Sequence, residues 1–249
     1  MLDPTTFEGF RTHVSEERFH VVGQPIVDLA TGEQLHTEWL VRFDHDIELL
    51  SLLRPAEING AIRDLDLSML ARAVLALNGD PQRKGIAVNL SGASFATPRF
   101  EHSVMACVNA LKGPASRLVI ELTESWDMRD LDTARSALAR LRERGHPVCL
   151  DDVGAGAASI RYLRALPCDW LKIDGDFLKA AAHDPRENSI LDAVLSLKSA
   201  LDVRIIAEGI ETGELLDFAK TKPFDAVQGF AVAPPLPSVM PETRMVNSA

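Results

Sequence analysis

The chain has 249 residues, 46% of them hydrophobic, which is enough to bury one sizeable core, and its formal net charge is −10. With no run of Lys and Arg to offset it, that charge excludes a nucleic acid polymer as the expected partner, whereas a small phosphate ester stays open because a bound dication can mediate between carboxylates and an anion. No stretch of eighteen apolar residues and no basic-then-apolar leader occurs, so neither a membrane span nor export is expected; Cys107, Cys149 and Cys168, without a CxxC spacing, read as buried thiols of the cytoplasm.

In chain order, residues 1–18 read as an amphipathic lead-in helix, followed by strand-like runs at 19–29 and 33–43. Only the short segment DLATG (28–32) joins these two, a hairpin link too short for a parallel crossover, so the first strand should run antiparallel to the second. Further apolar, β-branched runs lie at 85–91, 117–124, 147–153, 170–174, 203–209 and 226–230. Between them stand helical-period segments such as 65–77, 132–145 and 187–200. Eight strands alternating with helices predict one TIM-type (β/α)₈ barrel domain over 1–249 with its first strand antiparallel, and residues 238–249 as a C-terminal tail.

Reactive groups of such a barrel gather at the carboxyl ends of its strands, and side chains two apart in a strand share a face. Glu38, Leu40 and Arg42 share one face; Asn89 goes with Ala87, Glu121 with Val119, Lys172 with Asp174, Glu208 with Ile206 and Gln228 with Phe230. One central site can therefore collect Glu38, Asn89, Glu121, Asp151, Asp152, Asp174 and Glu208, with Lys172 and Arg42 as cations. So many carboxylates in a poorly hydrated place would repel one another by several kcal/mol at about 4 Å and would take up protons or bind cations. Oxygen donors and one Asn, with no closely spaced His pair, favour Mg²⁺ or Mn²⁺ over a structural zinc. Adjacent Asp151 and Asp152 suit two ions roughly 3.5 to 4 Å apart, a spacing used for in-line displacement at phosphorus. Ca²⁺, with its looser coordination sphere, should bind without supporting turnover.

Taken singly, these residues have blander readings. A lone Glu at a strand end is usually solvated, Asn89 and Gln228 could be satisfied buried amides, and Lys172 could pair with Asp174. Glu57, Glu124 and Glu211 read as loop-orienting residues, and Asp66, on a helix-like stretch, as a helix-surface residue.

The order and spacing of QPIVDLATG, TEWLVR, AEING, VNLS, IELTES, DDVGAG, LKID, AEGIE, QGF and PPLP resemble the EAL-domain cyclic di-GMP phosphodiesterases over nearly the whole chain. The resemblance implies hydrolysis of cyclic di-GMP to linear pGpG. It places Glu38, Asn89, Glu121 and Asp151 around the metals, and Asp152 and Glu208 at the second metal and the attacking water. Lys172 matches a lysine that contacts the nucleophilic water, and Asp174 its neighbouring acid. Gln24 and Arg42 match groups that hold guanine and phosphate; Leu40, Asp174, Glu211 and Gln228 complete the substrate-binding set. A homodimer and a protein partner fit the family, whose silent members act instead as cyclic di-GMP receptors; an unrelated metal-dependent aldolase or enolase would not carry this series of segments. Three departures stand out: Trp39 for the signature alanine, expected to pack outside the barrel; a shortened stretch at 43–55; and Val153 and Ala155 where Phe and Thr are usual, which should loosen the DDVGAG turn.

Overall fold

The computed structural model describes residues 5–43, 49–123, 131–154 and 159–237. A lead-in helix α1 (Phe7–Ser15), capped by the Thr6 hydroxyl, which accepts from the Gly9 amide, precedes the hairpin of β1 (Phe19–Asp28) and β2 (Gln34–Phe43). At its turn the Asp28 carboxylate accepts from the amides of Ala30 and Thr31, and Gly32 takes φ +73°, the left-handed conformation that glycine adopts without strain. Helices α2 (Leu49–Asn59) and α3 (Ile62–Gly79) then lead to β3 (Gly85–Ser91). After it come α4 (Pro98–Val108), β4 (Leu118–Thr123), α5 (Leu131–Glu143), β5 (Val148–Val153) and α6 (Ser159–Ala165). The chain continues through β6 (Trp170–Ile173), α7 (Gly175–His183), α8 (Pro185–Leu201), β7 (Arg204–Ala207), α9 (Gly213–Lys220) and β8 (Ala226–Val227).

Strands β2 to β8 pair in parallel with their neighbours, and β1 closes the barrel by pairing antiparallel with β2 on one edge and β8 on the other. The fold is thus a (β/α)₈ barrel with an antiparallel first strand. The sequence did not suggest a ninth strand, β9 (Leu236–Pro237), which lies antiparallel against Val22 and Gly23 of β1. On β1, the short β8 reaches only Val27 and Asp28. The rest of that edge of β1 needs partners for its backbone, and the proline-rich segment supplies them. Helix α8 starts at Pro185, two residues before its periodic pattern, because Asp184 caps it and the proline is preset for a first turn.

Apolar residues fill two separate regions. The larger lies between strands and helices and includes Trp39, which is 1% exposed and faces outward from the barrel as its parity predicts, next to Ile86, Val88, Leu118 and Ile120. The smaller fills the barrel interior: Ile26, Ala87, Val119, Cys149, Trp170, Ile206 and Ala226. Among the described residues no helix is long and apolar enough to cross a membrane.

Candidate active site

One side-chain repeat above the inner apolar layer, towards the carboxyl ends of the parallel strands, stands a polar layer. Glu38, Asn89, Glu121, Asp151, Lys172, Glu208 and Gln228 each lie two residues on from an interior residue of the same strand or its extension. At its centre is Lys172, 1% exposed. Its ammonium lies 2.6 Å from Glu208 Oε1, 2.9 Å from Glu121 Oε2, 3.1 Å from Glu38 Oε2 and 3.3 Å from Asp151 Oδ1. Glu38 also accepts from Asn89 Nδ2 at 2.6 Å and from Gln228 Nε2 at 2.7 Å, and Gln228 reaches Gln24 Oε1 at 3.4 Å.

Four carboxylates around one ammonium leave an excess of negative charge, and the groups divide accordingly. Burial pushes Glu38 up, but the charge of Lys172 and the hydrogen bonds from Asn89 and Gln228 outweigh it and hold Glu38 below its ordinary value. Burial raises Glu121 and Glu208 well above theirs, and Asp151 less far, with Lys172 only partly opposing. Lys172 itself is raised well above the ordinary value, because the four surrounding carboxylates overcome the cost of its burial. Such a cluster suits divalent cations. Ligand atoms of Glu38, Glu121 and Asp151 lie within 4.8 Å of one another, as do those of Asp151, Asp152 and Glu208. Among the described residues the buried oxygens Asn89 Oδ1, Glu121 Oε1 and Gln228 Oε1 have no hydrogen-bond partner, so a hard oxygen-seeking ion has donors waiting.

Two backbone features place these groups. The ladder between β5 and β6 shifts register between Leu150 and Val153, and within that irregularity Asp152 takes φ +56°, a conformation that non-glycine residues avoid. Directly after Glu208, Gly209 at φ +61° comes so near Gly175 that a Cβ would stand 2.8 Å from its Cα, so the turn that presents Glu208 requires glycine. Val153 is buried in the outer core, and the Phe177 ring lies against Gly154, where a Cβ would meet it at 2.3 Å. Ala155, Ala157, Ala158, Glu124, the stretch 44–48 and the tail 238–249 lie outside the described residues.

Leu40 and Arg42 line a cavity of about 210 Å³ next to Glu38, Asn89 and Asp151. Leu49, Leu53, Ile62, Leu65 and Met69 of α2 and α3 form its apolar wall. The Arg42 guanidinium donates to the Val41 carbonyl at 2.8 Å. The cluster does not gather every candidate. The Asp174 carboxylate caps α7 by accepting from the Phe177 amide at 2.9 Å, and Glu211, exposed, pairs with Lys179 at 3.1 Å.

Asp66 is the clear departure from sequence reasoning. It is 4% exposed rather than on a helix surface, and accepts from the Ser91 amide at 3.1 Å and the Ser94 hydroxyl at 2.5 Å. Burial pushes its carboxyl up to about 8. The apolar periodicity of α3 places Asp66 between core residues Leu65 and Met69, and its neighbours Ser91 and Ser94 lie far along the chain, so no local signal exposes the pairing.

The family model described as EAL domain matches residues 8–235. The chain is 32% identical over 240 residues to the cyclic di-GMP phosphodiesterase NbdA of Pseudomonas aeruginosa, covering 92% of this chain and 30% of that protein. It is 31% identical over 227 residues to the cyclic di-GMP phosphodiesterase PdeL of Escherichia coli, covering 86% of this chain and 61% of PdeL. The solved PaMucR phosphodiesterase in complex with c-di-GMP superposes with a TM-score of 0.79 at 31% identity, over 93% of this chain and 97% of that one. The chain thus spans about a third of the length of NbdA and under two thirds of PdeL.

Proposed function

This chain belongs to the EAL domain family, and on that premise we propose that it hydrolyses cyclic di-GMP to linear pGpG with two divalent cations, Mg²⁺ or Mn²⁺. The observation that carries this reading is the buried Lys172 ammonium shared by Glu38, Glu121, Asp151 and Glu208, with Asn89 and Asp152 beside them. Glu38, Asn89, Glu121 and Asp151 would hold one cation, and Asp151, Asp152 and Glu208 the other. When bound, such ions lower the pKa of a coordinated water and neutralise charge on the phosphoryl oxygens.

The chain's own groups do the rest. Glu208, raised by burial, is suited to take a proton at Oε1, 2.6 Å from the Lys172 ammonium that orients it. Lys172 donates to the acidic rim and fixes the carboxylates in one geometry, which limits reorganisation during displacement. Arg42, at the cavity wall, supplies a fixed positive charge for the second phosphate, and Leu40 an apolar surface for the ligand. Gln24 and Gln228 present amides to a purine edge from the closing strands.

The test is incubation of the full chain with cyclic di-GMP and either Mg²⁺ or Mn²⁺, with chromatography of the products. A chelator should abolish formation of pGpG, and Ca²⁺ should permit binding with little turnover. Binding without product under every ion would make the chain a receptor, and equal rates with Ca²⁺ and Mg²⁺ would refute the two-ion site.

A further inference from the structure

Asn89 enters the cluster from the end of β3, and one edge of that end lacks a strand partner. The ladder from β2 to β3 stops at Trp39 opposite Val88, whereas on the other edge β4 continues to pair through Asn89, Leu90 and Ser91. Where that ladder ends, two helices take over. The Ser91 amide donates to Asp66 of α3 at 3.1 Å, and the Ser91 hydroxyl donates to Glu57 of α2 at 2.8 Å. Ser94, fully buried in the short turn after β3, donates its hydroxyl to the same Asp66 oxygen at 2.5 Å. Ser91 is 4% exposed, and the two bonds to Asp66 are buried where water does not compete.

We propose that Asp66 and Glu57 form a clasp on Ser91 that fixes Asn89 in the metal cluster, which makes Asp66 a positioning residue for the reaction. This rests on the phosphodiesterase reading above. Asn89 is two residues from the clasped Ser91, on the same face of the strand, and its amide holds Glu38 at 2.6 Å. A carboxylate that is itself outside the cluster therefore controls the orientation of a ligand within it, as outer groups do in metal sites generally. The clasp also links the two helices that wall the cavity to the strand that carries the ligand.

The experiment is titration of the full chain with Mn²⁺ alone, read by electron paramagnetic resonance, with amide exchange of residues 89–94 measured in parallel. Asp66→Ala should weaken Mn²⁺ by roughly tenfold and speed exchange at Ser91, with the melting temperature still showing a folded barrel. Asp66→Asn should restore both, since its single carbonyl oxygen can accept from the Ser91 amide and the Ser94 hydroxyl together, as one Asp66 oxygen does. Equal Mn²⁺ affinity in wild type and folded Asp66→Ala overturns the clasp, as does failure of Asp66→Asn to rescue. If Asp66→Ala does not fold, Ser91→Ala decides, because it keeps Asp66 and removes the hydroxyl that donates to Glu57 and accepts from the Ala93 amide: weaker Mn²⁺ supports the clasp and unchanged affinity overturns it. A wild type that binds no Mn²⁺ would refute the phosphodiesterase reading itself, and unchanged exchange in Asp66→Ala would then refute the clasp separately.

Discussion

The lower and upper layers of the barrel interior are built by the same strands with the same parity, yet their chemistry is opposite. Ala87 and Asn89, Val119 and Glu121, Cys149 and Asp151, Trp170 and Lys172, Ile206 and Glu208, and Ala226 and Gln228 are pairs two residues apart. A step of about 6.6 Å along a strand carries the interior from dry packing to a charged cluster. The lower layer stabilises by excluding water. The upper layer gathers like charges whose protonation states are displaced by burial, and it is held by Lys172, by the ladders below and by the helices at its rim. Each layer needs the other: the apolar floor keeps the cluster poorly hydrated, which strengthens its electrostatics.

The largest expected effect breaks the upper layer. Lys172→Met should lower kcat on the order of 10²- to 10⁴-fold. In chelator it should also cost about 3 to 5 kcal/mol of stability, because the carboxylates lose their buried counterion. Product chromatography and chemical denaturation check the two halves; a variant that keeps its rate would show that the ammonium only fills space.

Next comes the floor. Trp170 stacks between the Arg204 guanidinium, 4.1 Å from the ring centroid, and the edge of His36 at 6.0 Å. Trp170→Ala should cost about 3 to 5 kcal/mol in denaturant unfolding while kcat at saturating ion changes far less. A matched collapse of rate and stability would mean that the two layers cannot be separated in this way.

The smallest effects are in pH dependence, and here the layers have opposite signs. Glu121 and Glu208 have folded values raised by burial, so in chelator their contribution is fully present below the ordinary glutamate range and is lost as pH rises through the raised values. Adding Mn²⁺ should flatten that alkaline decline in melting temperature. His36, in the floor, is pushed by burial from 6.5 to about 4, so its contribution is present above 6.5 and is lost as pH falls towards 4. His36→Gln should remove that acid limb, a difference of a few degrees between wild type and variant in the same chelated buffer. No change in slope between them would show that His36 does not set the limb.

Much of this was legible in the residues. Strand runs and the five-residue DLATG link dictate an antiparallel opening and a barrel, and parity alone sorts Glu38 from Trp39. Those signals are local: they depend on side chains alternating along one strand, and on the length of a connection. The ring of Lys172 with Glu38, Glu121, Asp151 and Glu208 follows once the barrel closes, because each lies at the same height on its own strand.

What the chain could not disclose by itself depends on groups that meet across long separations. Asp66 looks like any acid on a helix until α3 packs against the end of β3 and its carboxylate becomes the partner of Ser91 and Ser94, 25 and 28 residues away. Asp174 shares parity with Lys172, but the chain turns into α7 at that point, and the Phe177 amide of the first helical turn claims the carboxylate that strand parity had aimed at the site. β9 pairs with Val22 and Gly23 of β1, beyond the two residues that β8 reaches, a contact between segments far apart in the chain. Sequence determined which faces are polar and in what order the strands come, since those follow from alternation along the backbone. Tertiary structure decided which carboxylates cluster, which cap and which clasp, since that is set by where helices and strand ends leave donors without a backbone partner.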